Sequence, residues 1–108
     1  MNGTAHVKAG ICGHETTLRA ATSDGRAVSF AVETTCDNIE RLAARLAAEG
    51  PLDAYAEINP RATSKLLALG HETGSCSDCI VPAAALKALR VAAGLALPAD
   101  VAIGIVKE

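Results

Sequence analysis

The chain has 108 residues and a formal net charge of −2, which fits one domain of ordinary size. Half of it is apolar, but 23 residues are Ala, with one Phe, one Tyr and no Trp, so a core forms from small side chains. This composition excludes disorder and collagen. Ten basic against 12 acidic residues exclude a basic field for nucleic acid, and the lack of aromatics removes a stacking platform for single strands.

Residues 5–11 alternate, with Ala5, Val7, Ala9 and Ile11 on one face and His6 and Lys8 on the other. That period reads as a strand with one buried face. Residues 16–22 read as a second strand, Leu18 and Ala20 inward and Arg19 outward. Ser23-Asp24-Gly25 follows, and Asp-Gly is a strong hairpin signal. Residues 27–34 repeat the alternation through Val28, Phe30 and Val32. Three antiparallel strands in a meander are the expectation.

The period then changes to that of a helix. Ile39, Leu42, Ala43 and Leu46 share a stripe opposite Glu40, Arg41 and Arg45. Asp37 and Glu40 have capping-box spacing, and Asp37–Arg41 and Arg45–Glu49 are candidate i,i+4 pairs. Gly50-Pro51 stops this helix. Leu52 to Ile58 reads as a short helix, and Asn59-Pro60 opens another that runs to Leu69 and ends at Gly70. A polar loop covers 71–78. An apolar helix runs from Cys79 or Pro82 to Ala93, with Gly94 as its C′ residue. Val101 to Val106 reads as a last short strand. Strands first and helices second argue for a two-layer α+β domain, residues 1–108 as one unit.

Four cysteines carry the chemistry: Cys12, Cys36, Cys76 and Cys79. No apolar run approaches the ~20 residues of a membrane span, and Met1 to Lys8 holds no hydrophobic signal core. The expected location is therefore the cytoplasm, away from membrane. In a reducing compartment an even cysteine count points to metal or redox chemistry rather than disulfides. Each cysteine sits at an element end. Cys12 follows the first strand, Cys36 follows the third and precedes a helix, and Cys76-Ser77-Asp78-Cys79 precedes the long last helix. In a meander the ends of strands one and three lie at the same edge of the sheet, and a helix packed on that sheet can bring its start there. Thiolates are the ligand form, and helix N-termini favour them. Cys-x-x-Cys is a chelating half-site for Zn²⁺ or an iron–sulfur cluster. The bland alternative is that each cysteine is a small buried hydrophobe.

His14, His71 and Asp78 are candidate supporting or substitute ligands, against the alternative that they are solvated loop residues. Gly-His-Glu-Thr occurs at 13–16 and again at 70–73, for which chance suffices. No nucleophile motif frames Ser, His and Asp, and there is no Gly-rich phosphate loop, so no hydrolytic or transferase activity is expected.

With these positions set, the chain resembles the iron–sulfur cluster scaffolds of the IscU and NifU N-terminal type. Ile11-Cys12-Gly13 is similar to that family's first ligand loop and Thr34-Thr35-Cys36 to its second. Leu52-Asp53-Ala54 through Ile58-Asn59 matches its Leu-Asp-Glu-Ala stretch and following Asn, and Cys79 leads into Ala84-Ala85-Leu86-Lys87-Ala88 as the family's last cysteine does. The cysteine separations are close to the family's, and the likeness covers residues 5–93. It implies a three-stranded sheet followed by helices, cysteine ligation of a cluster, and protein partners in cluster or sulfur transfer. The departures are His14 where the family has Asp, Asp78 where it has His, no Leu-Pro-Pro-Val-Lys stretch, and the additional Cys76. The chain also looks like a small uncharacterised family of cysteine-bearing proteins from anaerobes, which implies no activity. The expectation is a metal-binding protein rather than an enzyme, with Cys12, Cys36, Cys76 and Cys79 around a [4Fe–4S] cluster. A structural zinc held by the same four cysteines and a metal-free thiol or sulfur carrier are the alternatives.

Overall fold

Inward-facing residues at every second position pair three strands into one antiparallel sheet. A computed structural model describes residues 1–108. It places β1 at Asn2–Lys8, β2 at Glu15–Ala21 and β3 at Ala27–Thr34, side by side in chain order. The register sets Ala5 opposite Leu18 and Leu18 opposite Val32. Val7, Thr16, Leu18, Ala20 and Val28 are buried on one face, while Thr4, His6, Thr17 and Arg19 lie on the other, as the pleat requires. The sheet has four strands rather than the three expected. β4 is only Leu52–Asp53, paired to β3 through Leu52 and Val28.

β1 stops at Lys8, three residues short of Ile11, and Ile11 is fully exposed. Turn geometry overrides the alternation here. Gly10 and Gly13 both take positive φ, which other residues rarely adopt, and Gly13 N–H donates to Gly10 O at 3.0 Å. At the other hairpin, Asp24 accepts from the Arg26 and Ala27 amides at 2.9 Å each.

The helices cover one face. α1 (Asp37–Glu49) packs on β3 through Ile39, Leu42 and Leu46. Its N-cap is Cys36, with no side-chain cap bond, so the Asp37–Glu40 box does not form. After β4, α2 is a single turn (Ala54–Glu57). α3 (Lys65–Glu72) starts later than expected because Ser64 caps it, accepting from Leu67 N–H. Glu57 adds a second cap. Its buried carboxylate accepts from the amides of Lys65 and Leu66 at 2.7 Å each and from the Ser64 hydroxyl. Gly70 does not end this helix. It lies inside α3 where a Cβ would stand 3.3 Å from Pro82 Cγ, so the missing side chain lets the next helix approach.

α4 (Val81–Ala92) packs on β1 and β2. The Ala-rich composition finds its use here: Ala20, Ala85, Ala88 and Ala92 are all buried, keeping helix and sheet close. Contact is tightest at Gly3, where a Cβ would fall 2.4 Å from Ala88 O. As expected, Gly94 closes the helix, donating to Val91 O at 3.1 Å while Leu95 N–H reaches Arg90 O at 2.8 Å. Beyond it, the strand expected at Val101 to Val106 is absent, since no neighbouring strand pairs with it; Leu97, Val101, Ile103 and Ile105 are exposed. No helix is long and apolar enough to cross a membrane.

Candidate functional site

The sheet register brings the first two cysteines to one end. Lys8 closes β1 opposite Glu15, and Thr34 closes β3 opposite Thr16, so the Cys12 loop and Cys36 flank the start of β2. Thr35 ties them together. Its hydroxyl accepts from Glu15 N–H at 3.1 Å and bonds His14 Nδ1 at 3.0 Å, and its own amide donates to Glu15 O at 3.2 Å. Thr34 and Thr16 share a hydroxyl bond of 2.7 Å, and Thr34 Oγ1 also accepts from Cys36 N–H.

The start of α4 arrives at the same end. Gly3 lies against Ala88 and Ala92, and Gly25 against Ala93 O, so the C-terminal half of α4 sits over the start of β1. From Gly3 to Lys8 the strand advances about 17 Å, and from Ala92 back to Val81 the helix retreats about 17 Å. Val81 and Cys79 therefore lie toward the far end of β1, on the side of the two cysteine loops.

Cys36 and Cys79 are half-buried against the core, whereas Cys12 and Cys76 are exposed, and all four thiols are free. Burial pushes the Cys79 thiol above its ordinary pKa, and the Val81 amide bonded to it opposes this in part. The charges of Cys76, Cys36 and Cys12 push it further up, so all three stand near enough to act on Cys79. Convergence is not closure, however. No three His, Cys, Asp or Glu side chains form a ready-made shell for a metal ion. The four thiols gather at one end of the sheet but remain spread.

His71, Cys76 and Cys79 line a shallow cleft of about 240 Å³ together with Gly70, Ser75 and Pro82. Within it Ser75 Oγ is buried with no hydrogen-bond partner. His14 is held by Thr35 rather than by a cysteine, and Asp78 is exposed between Cys76 and Cys79. The two Gly-His-Glu-Thr copies adopt different structures, one entering β2 and one ending α3. Arg41 carries a role its sequence pattern does not announce. Instead of pairing with Asp37, it bonds Asn38 and donates from Nε to Thr73 O at 3.0 Å, fastening the first turns of α1 to the loop ahead of Cys76. A contact across 32 residues leaves no local signal.

The chain belongs to DUF6951, a family of unknown function. The DUF6951 model matches residues 3–105, a span that contains all four cysteines. No curated protein and no solved structure matches the chain.

Proposed function

We propose that this protein is a small cysteine-ligated metal-binding protein, with Cys12, Cys36, Cys76 and Cys79 holding an iron–sulfur cluster in a scaffold- or carrier-like role. The observation that carries the reading is the gathering of the cysteine-bearing loops at one end of the sheet, where Cys12, Cys36 and Cys76 all act on the Cys79 thiol. Soft thiolates suit iron–sulfur clusters and zinc. Four sulfurs on one zinc, each about 2.3 Å from the ion, nearly touch one another. A [4Fe–4S] cluster gives each thiolate its own iron, and the likeness to cluster scaffolds favours it over zinc. Cys36 stands at the N-cap of α1 and Cys79 accepts from the Val81 amide at the start of α4, so two helix N-termini offset part of the charge of four thiolates.

The chain order supports the likeness to the IscU and NifU N-terminal scaffolds: three meander strands, then helices, with thiols after β1, after β3 and ahead of the last helix. The two-residue β4 and the additional Cys76 are differences. On this reading the protein works in a reducing cytoplasm, hands its cluster or sulfur to protein partners, and is not an enzyme. Anaerobic purification followed by metal analysis and an absorption spectrum tests it. Iron and sulfide with a broad visible band support the cluster. A colourless protein with one zinc moves the reading to a structural four-cysteine zinc site, and a metal-free protein under anaerobic iron and zinc supply overturns it.

A further inference from the structure

We propose that Cys76 and Cys79 form a redox-active dithiol that a small disulfide such as oxidised glutathione converts to a local disulfide, withdrawing half of the four-thiol set. Three observations carry this. Cys79 N–H donates to Cys76 O at 3.0 Å, the closing bond of a four-residue turn. Such a turn holds its end Cα atoms within about 7 Å, and a disulfide spans about 4.4–6.8 Å between Cα atoms. The two thiols also differ in access, Cys76 exposed and Cys79 half-buried against the core. Both line the same cleft of about 240 Å³ with His71, so a small reagent at the exposed Cys76 has Cys79 beside it.

The chemistry balances without a further reactant. The exposed Cys76 thiolate attacks one sulfur of glutathione disulfide and expels one glutathione thiolate, leaving glutathione bonded to Cys76. Cys79 then attacks Sγ of Cys76 and expels the second glutathione. Two protein thiols are oxidised, one disulfide is reduced, and both thiol protons end on the two glutathione molecules. The turn already holds the Cys76 and Cys79 backbones at disulfide range, whereas no backbone hydrogen bond joins either of them to Cys12 or Cys36. Cys36 and the Cys12 loop are positioned by bonds of their own, Cys36 N–H to Thr34 Oγ1 and Gly13 N–H to Gly10 O.

The dithiol stands by itself; its regulatory consequence rests on the metal reading, because a closed pair leaves only Cys12 and Cys36 as thiolate ligands. The test incubates the reduced, metal-free chain in glutathione redox buffer, alkylates the remaining thiols and maps them by mass spectrometry. The expected result is loss of two thiols of four, a Cys76–Cys79 link, and alkylated Cys12 and Cys36. Cys79→Ser is expected to trap glutathione on Cys76, and Cys76→Ser to slow glutathione attachment at least 10-fold. A Cys12–Cys36 link, a chain-to-chain disulfide, or equal attachment in Cys76→Ser overturns the proposal. Iron or zinc loading is then compared between reduced and oxidised chains. Loading only after reduction supports the regulatory consequence, and equal loading overturns it. No loading in either state removes both the metal reading and that consequence, while the mapped disulfide still decides the dithiol.

Discussion

The two ends of the sheet are built differently. At the end that holds Met1, the β2–β3 hairpin and the last turn of α4, polar groups are paired off. Thr22 N–H donates to Met1 O, Asp24 caps the hairpin, the Arg26 guanidinium grips Asp53 and stacks on Tyr55, and Gly94 and Leu95 seal α4. At the opposite end the loops carry four thiols, an orphaned Ser75 hydroxyl and the exposed Ile11 and Ile80. One end is closed by its own hydrogen bonds, and the other keeps a buried unpaired hydroxyl and four free thiols, two of them exposed. Stability and chemistry are separated along a single set of strands, so changes at one end should leave the other intact.

Gly3→Ala breaks that separation most severely, because it acts where α4 bridges both ends. The added Cβ would overlap Ala88 O at 2.4 Å, and helix and strand must part. The expected loss is about 3 kcal/mol, the upper part of the usual cost of overpacking, or roughly 10–20 °C in melting temperature. Calorimetry or urea unfolding checks it, and a loss under about 1 kcal/mol would mean that the close approach is slack.

Glu57→Ala comes next. It strips the buried acceptor from the amides of Lys65 and Leu66 and is expected to cost about 2 kcal/mol. Hydrogen exchange should show α3 opening from its N-terminus while the thiols keep their accessibility. Thr35→Val probes the open end. It removes the hydroxyl shared by Glu15 N–H and His14, with an expected loss of about 1 kcal/mol and faster alkylation of Cys12. Unchanged alkylation would show that Thr35 does not hold the Cys12 loop.

The smallest effect is acid sensitivity. Backbone amides of Arg26 and Ala27 hold the Asp24 carboxyl below its ordinary value of 3.8, and Arg26 does the same for Asp53. Lys65 holds Glu49 below 4.5. A carboxylate whose pKa is lower folded than unfolded stabilises the fold above the unfolded value, and that contribution is lost as pH falls through the folded one. On the acid side, melting temperature should therefore hold down to about pH 4.5 and fall below it. Arg26→Gln should shallow the fall, and the closed end should loosen first. An identical acid profile in Arg26→Gln would remove Asp53 from this account.

Local pattern made the meander, the Asp24-Gly25 hairpin, α1, α4 and the Gly94 stop legible in the sequence, because each is set by neighbours within a turn or two. The convergence of the cysteines was legible as topology, from element ends alone. What escaped was long-range or competitive. Glu57 caps a helix eight residues ahead, Arg41 reaches Thr73, and the two-residue β4 exists only because β3 offers an edge. Ile11 continued an alternation that the glycine turn had already ended, and Gly70 had a helix-stopping identity but a packing role. The spacing between the sulfurs had no signature in the sequence at all.

Cobalt(II) titration of the reduced chain tests the central claim, that four thiols at one end of the sheet act as a single ligand set. Thiolate-to-cobalt absorption counts sulfur ligands without requiring the native metal. The wild-type chain should develop an intense near-ultraviolet band together with tetrahedral visible bands. Cys36→Ser should abolish them, since the sheet edge fixes that ligand and nothing nearby replaces it. Cys76→Ser should keep the fold and a weaker band that a chelator removes more readily. Absence of any thiolate-to-cobalt band in the wild type, or an unchanged band in Cys36→Ser, would contradict the account.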